Sequence, residues 1–144
     1  MNDKLYLVIP CYNEEEVLPE TARRLKEKIT ALIEKGKINK DSRIVFVNDG
    51  STDDTLKIAR NYEQQHPDVI RVIDQENAGW GGGVNNGIAQ ARGSYFKVVD
   101  SDDWVDSKVL VRVIKRLKLL EERHTPVDMM LTNFVYDKEG AWHK

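Results

Sequence analysis

In Arg43-Ile-Val-Phe-Val-Asn-Asp-Gly-Ser-Thr-Asp-Asp54 an unbroken apolar run gives way to two polar residues, a glycine and a Ser-Thr-Asp-Asp cluster. A short continuous run of β-branched and aromatic residues is the pattern of a strand buried on both faces. Ser, Thr and Asp side chains accept hydrogen bonds from the free N–H groups of a helix start, so Ser51 to Asp54 offers a cap. Leu56, Ala59 and Tyr62 continue that helix until Pro67 stops it. A strand that feeds a helix directly is the building unit of a parallel sheet, whose neighbouring strands need a crossover.

The same alternation extends in both directions. Upstream, Leu5 to Ile9 reads as a buried strand, and Leu18, Ala22, Leu25, Ile29 and Leu32 recur at the spacing of one helix face. Pro19 fits that helix's first turn, and Gly36 suits its C-terminal end. Downstream, Val69 to Ile73 predicts a third strand. A glycine-rich loop, Gly79 to Gly83, leads into a short helix ending at Gly93, and Tyr95 to Val99 predicts a fourth strand. Leu110, Val113, Leu117 and Leu120 mark another helix, Val127 to Val135 a last strand, and Asp137 to Gly140 a turn. The expectation is an α/β protein: a Rossmann-like, doubly wound, mostly parallel sheet with helices on both faces. Residues 1–144 read as one domain that is still running where the sequence stops.

Composition narrows the function classes. Apolar residues make up 40% of the 144 and charged residues 32%, the balance of a soluble globular domain. A net charge of −2 provides no basic face for a nucleic-acid partner. Cys11 is the only cysteine, which excludes an internal disulfide or a zinc cluster of several thiolates and points to a reducing, cytoplasmic setting. Leu5 to Ile9 is too short for a secretory signal, and no apolar run approaches the ~20 residues of a membrane span. Attachment to the inner face of a membrane would need a segment outside this chain.

In an open α/β sheet, ligands bind in the crevice beyond the carboxyl ends of the strands. The predicted strands end in Pro10-Cys-Tyr-Asn-Glu-Glu-Glu16, Asn48-Asp-Gly-Ser-Thr-Asp-Asp54, Asn77-Ala-Gly-Trp-Gly-Gly-Gly83 and Asp100-Ser-Asp-Asp103. Asp100-Ser-Asp-Asp103 is the most pointed of these. Three carboxylates in four residues repel one another, and a hard divalent cation with oxygen ligands would relieve them if a turn brings Asp100 and Asp102 together. Alternatively Asp102 or Asp103 caps the helix that starts near Ser107, and the two roles are compatible.

Asp49 lies before the Ser51–Asp54 cap, where a carboxylate can accept from a base N–H or a ribose hydroxyl. Glu14 to Glu16 suit a helix start, and Pro10 and Tyr12 offer surfaces that could pack on a base. The glycine run carries neither the Gly-x-Gly-x-x-Gly fingerprint after the first strand nor a P-loop ending. Trp80 is unusual for a mere linker. His66, His124 and His143 are scattered, and no chemistry is assigned to them or to Cys11.

Taken together, Val8-Ile-Pro-Cys-Tyr-Asn-Glu-Glu15, Val47-Asn-Asp-Gly-Ser-Thr-Asp-Asp-Thr55, Asn77-x-Gly79 with Asn85-x-Gly87, and Asp100-Ser-Asp-Asp103 occur in order. This combination resembles the family 2 inverting glycosyltransferases of the GT-A fold, over residues 5 to about 135. The resemblance implies a nucleotide-sugar pocket lined by Pro10, Tyr12, Glu14, Asp49, Gly79, Asn85, Asp100 and Ser101. It implies Mg²⁺ or Mn²⁺ bound directly by Asp102, with Asp100 toward the ribose or the metal's water shell. The donor would be a nucleoside-diphosphate sugar, UDP by family frequency, and the acceptor a saccharide or lipid-linked hydroxyl. Two departures stand out. The family's Ala-Arg-Asn reads Gly83-Val-Asn85 here, and the glycine run resembles the polyprenyl-phosphate sugar transferase branch. The family's catalytic base belongs to an acceptor half, so it is expected downstream of Lys144. The chain should then bind donor and metal without turnover, and an apolar surface meant for the acceptor half could associate artificially.

Two other classes fit less well. A nucleotidyltransferase would carry a glycine- and arginine-rich phosphate loop where Pro10 to Glu16 is acidic and glycine-free. A non-catalytic nucleotide-sugar-binding module would need no intact acid cluster.

Overall fold

The computed structural model describes residues 3–138 and 141–143. Its main sheet has four parallel strands, β1 (Leu5–Cys11), β2 (Arg43–Asp49), β3 (Ile70–Gln75) and β4 (Tyr95–Val98), in the order β3-β2-β1-β4. Helices α1 (Leu18–Glu34), α2 (Thr55–Gln65) and α3 (Gly79–Gln90) connect them, and α4 (Ser107–Glu122) follows β4. The chain winds outward from β1 to β3 and then crosses back to β4 on β1's other side. The gap between the carboxyl ends of β1 and β4 is therefore the switch point at which such sheets bind ligands.

The two faces of the sheet are covered differently. On one, Leu7, Ile9, Ile44 and Phe46 pack with Leu18, Ala22, Leu25, Ile29 and Leu32 of α1, Ala59 of α2, and Leu110 and Ile114 of α4. On the other, Tyr6, Val8, Val45 and Val47 form a smaller layer, which α3 covers. The doubly wound architecture is as expected.

The glycine run departs from expectation. It is not a loop but the start of α3. Gly79 opens the helix at φ +77°, a conformation that favours glycine. Gly83 and Gly87, one turn apart, lie flat on the sheet. A Cβ on Gly87 would stand 2.3 Å from Val8 Cγ1, and one on Gly83 would stand 3.4 Å from Pro10 Cβ. Glycine is a poor helix former, and close backbone contact with the sheet offsets that weakness here.

The last predicted strand is also corrected. Residues 127–135 form no regular element, and a separate antiparallel pair follows, β5 (Tyr136–Lys138) with β6 (Ala141–His143). Strand propensity is realised by packing against neighbours, and Leu131 and Phe134 are exposed instead. Asp137 and Lys138 belong to β5 rather than to a turn, while Glu139 and Gly140 lie outside the described residues. Among the described residues no helix is long and apolar enough to cross a membrane.

Candidate functional site

Register places the polar strand ends along one edge. Pro10 pairs with Val47, Cys11 with Asn48, Asn48 with Asp74 and Asp49 with Gln75. A proline near the end of a central strand is tolerated for a local reason. Val8 O accepts from Val99 N, so residues 8 and 10 of β1 face β4. The ladder with β4 ends at the Val8–Val98 pair, one step before Pro10's absent N–H would be needed. Tyr12 follows and is about half exposed, whereas Glu14 is half-buried.

Asp49 is buried, 4% exposed, and built into a bonded frame. One carboxylate oxygen, Oδ1, accepts from the Gln75 side chain at 2.9 Å and from the Ala78 backbone N–H at 2.7 Å. Gln75 accepts in turn from Asn86 Nδ2 at 2.9 Å. Gly50 makes this approach possible, since a Cβ there would lie 2.8 Å from Asn77 N and its φ is +71°. Asn48 donates to Asp74 at 2.9 Å, and its buried Oδ1 has no partner among the described residues. Asn85 is exposed on α3; it is Asn86 that enters the frame.

The Ser51–Asp54 cluster does more than cap α2. Asp53 accepts from Thr55 N at 3.0 Å, yet Asp54, at the cap position, makes no side-chain cap bond. Ser51 Oγ accepts from Asn13 N, Thr55 Oγ1 from Glu14 N, and Glu15 Oε2 from Asp54 N. Glu14 and Glu15 precede α1, which begins at Leu18, and are laced to the β2 loop, while Glu14 O accepts from Leu18 N at the helix start. The β1 and β2 loops are thus bonded to each other.

Asp100 to Asp103 forms the needed turn, with Asp103 N donating to Asp100 O at 3.0 Å. Ser101 is buried in it, while Asp100, Asp102 and Asp103 are exposed. Partial burial, followed by repulsion from Asp102 and Asp100, raises the Asp103 pKa above the ordinary carboxylate value. The helix cap is made elsewhere. Asp106 accepts from Val109 N at 2.8 Å, which frees Asp102 and Asp103 from that role. Trp80, 60% exposed, donates its indole N–H to Asp100 Oδ1 at 2.8 Å and so ties the start of α3 to the acid turn. Cys11 is buried beside Glu14, and its thiol pKa is pushed up to about 12, first by burial and then by that charge. It stays protonated and inert.

Residues 6–130 match the Glycosyl transferase family 2 profile. The chain belongs to glycosyl transferase family 2. Glycosyltransferase GlyA of Streptococcus pneumoniae is 32% identical over 117 residues, covering 81% of this chain and 15% of its own length. Dolichyl-phosphate beta-glucosyltransferase ALG5A of Trichomonas vaginalis is 35% identical over 120 residues, covering 78% of this chain and 36% of its own. The family 2 chain thus spans well under half of these relatives. Mannosyltransferase PcManGT from Pyrobaculum calidifontis, solved in complex with GDP-Man and Mn²⁺, superposes with a TM-score of 0.66 at 24% identity, over 79% of this chain and 32% of that one. S. aureus TarS 1–349, solved in complex with UDP-GlcNAc, superposes at 0.61 and 27% identity, over 84% and 32%. The fold is the expected GT-A fold.

Several site residues of this family 2 chain escape a reading of the sequence: Gln75, Asn86, the Ala78 N–H and the Trp80–Asp100 bond. Polar residues at matching positions of neighbouring strand ends, Asp49 beside Gln75, were the available signal. At Val84, where the family's arginine is absent, the side chain is buried.

Proposed function

We propose that this chain is the donor-binding part of an enzyme that transfers a sugar from a nucleoside diphosphate, UDP first among candidates, to an acceptor hydroxyl with inversion. The observation that carries the reading is the acid turn Asp100–Asp103 at the β1/β4 switch point, tied to α3 through Trp80. The TarS complex with UDP-GlcNAc supports the donor class. The dolichyl-phosphate relative supports a lipid-linked acceptor as the second candidate, its accepting oxygen then belonging to the phosphate.

We assign the residues of the pocket as follows. Tyr12, about half exposed, gives the base an apolar surface, and Pro10, buried under Gly83 of α3, shapes the strand end behind it. Asp49 has one oxygen committed to Gln75 and Ala78, and its other oxygen serves the base or ribose. Glu14, Gly79, Asn85 and Ser101 complete the wall. The acid turn fits Mg²⁺ or Mn²⁺: its donors are hard oxygens, and such ions take one or two carboxylates and fill the remaining positions with water and substrate phosphate. Among the described residues no three His, Cys, Asp or Glu side chains converge, so the turn alone would not make a full cage for the ion. Asp102 would hold the ion with Asp100 alongside, and the ion would supply positive charge for the departing diphosphate.

In the transfer itself, the acceptor oxygen attacks the anomeric carbon opposite the diphosphate. The bond from that carbon to the diphosphate oxygen breaks with its electron pair, and the acceptor proton passes to a base. No residue of this chain is assigned as that base. Calorimetric titration with UDP, GDP and dTDP, each with and without Mn²⁺, tests the reading. UDP should bind, Mn²⁺ should strengthen it about tenfold or more, and Asp102→Asn should remove the metal-dependent gain. No binding of any diphosphate, or binding indifferent to Mn²⁺, would overturn the reading.

A further inference from the structure

Helix α1 has a second ordered face beside its core stripe. Thr21, Arg24 and Lys28 follow one another at steps of three and four, so they share one side of the helix. All three reach the segment that follows β4. The Thr21 hydroxyl donates to Ser101 O, the Arg24 guanidinium stands 5.4 Å from the centroid of the Trp104 ring, and Lys28 Nζ donates to Val105 O. Thr21 is buried, 8% exposed, and so is the residue whose carbonyl it binds.

The bonded atom matters. Asp100 to Asp103 closes as a β-turn, so the carbonyl of Ser101 belongs to its central peptide. The direction of that peptide distinguishes the type I turn from type II, which needs a positive φ at Asp102. Asp102 does not have one. A hydroxyl fixed on α1 therefore holds the central peptide in the type I sense against carboxylates that repel one another. The backbone that carries Asp100 and Asp102 is thereby tied to α1.

We propose that Thr21 is a positioning residue for the acid turn, orienting Asp100 and Asp102 toward the metal-bound diphosphate through the Ser101 carbonyl. This rests on the reading of the turn as a divalent-ion site. Thr21→Val keeps the shape of the side chain and removes the donor, Thr21→Ser restores the donor, and Thr21→Ala removes it without the Val methyl. Affinity for UDP in the presence of Mn²⁺ would be measured by calorimetry, and Mn²⁺ alone by electron paramagnetic resonance, on chains whose melting profiles show them folded. Thr21→Val and Thr21→Ala should bind about tenfold more weakly, with Thr21→Ser within about twofold of the parent, and metal-free UDP binding should stay unchanged in all. Equal Mn²⁺-dependent binding by the parent and both hydroxyl-free variants would overturn the positioning role and leave the site reading intact. Absence of Mn²⁺-dependent binding in the parent would overturn the site reading itself, and the role of Thr21 with it.

Discussion

Asp103 shows the cost of gathering three carboxylates in one turn. Its folded pKa is raised, by partial burial and then by Asp102 and Asp100, so the folded chain holds that proton more tightly than the unfolded chain does. Below the unfolded value, about 3.9, both states are protonated and the group is neutral in its effect. As pH climbs through the raised folded value, ionisation subtracts from stability. Asp103→Asn should therefore raise the melting temperature at pH 7 and leave it unchanged near pH 3. A carboxyl-carbon NMR titration should show the Asp103 midpoint falling in Asp102→Asn. Asp106 has the opposite sign: the Val109 N–H lowers its pKa, and its contribution is present above the unfolded value and lost as pH falls through the folded one. Asp106→Ala should lower the urea midpoint at pH 7, and the gap from the parent should narrow once the parent's Asp106 is protonated. The acids of the turn were legible in sequence because composition alone exposes their repulsion. Trp80 and Thr21 were not, because each acts on the turn from 20 or more residues away.

At the scale of elements, α3 separates what glycine does by position. Gly81 faces open space without a positive φ, so a methyl group there costs nothing in contacts and restricts the unfolded chain. Gly81→Ala should stabilise the chain by about 0.5–1 kcal/mol. Gly87 is the contrary case, with Val8 Cγ1 at 2.3 Å and Val47 Cγ2 at 3.3 Å from a built Cβ. Gly87→Ala should destabilise by about 1–3 kcal/mol, because the helix must lift from β1 and β2 or the valines must leave their rotamers. Urea unfolding of the pair decides it, and two shifts of the same sign would count against this packing. The strands β1, β2 and β4 were legible because each apolar stretch leads into an amphipathic helix. The start of α3 was hidden, since glycine lacks the side chain that would display a helical period. The missing strand at 127–135 has the reverse cause: its residues suit a strand, but no neighbour in the described fold pairs with them.

Across the whole molecule, apolar surface is covered unevenly. The two layers against the sheet are buried. Beyond α4, Met129, Leu131 and Phe134 are 74%, 85% and 75% exposed, with the Phe134 and Tyr136 rings meeting edge to face at 5.2 Å. The strand nearest in kind is β4, which is the edge of the four-stranded sheet and carries a half-exposed Phe96. An open strand edge together with an apolar segment of strand-like composition is a template for pairing between chains. The chain should therefore associate with rising concentration in sedimentation velocity. Leu131→Lys with Phe134→Lys should suppress that association, since the charges oppose pairing and both side chains are mostly exposed in the monomer. For the same reason the urea stability measured in dilute solution should change by less than about 0.5 kcal/mol. Association that persists at equal strength in the double variant would place the sticky surface elsewhere. A large loss of monomer stability would mean that residues 129–136 pack onto the domain instead of lying open.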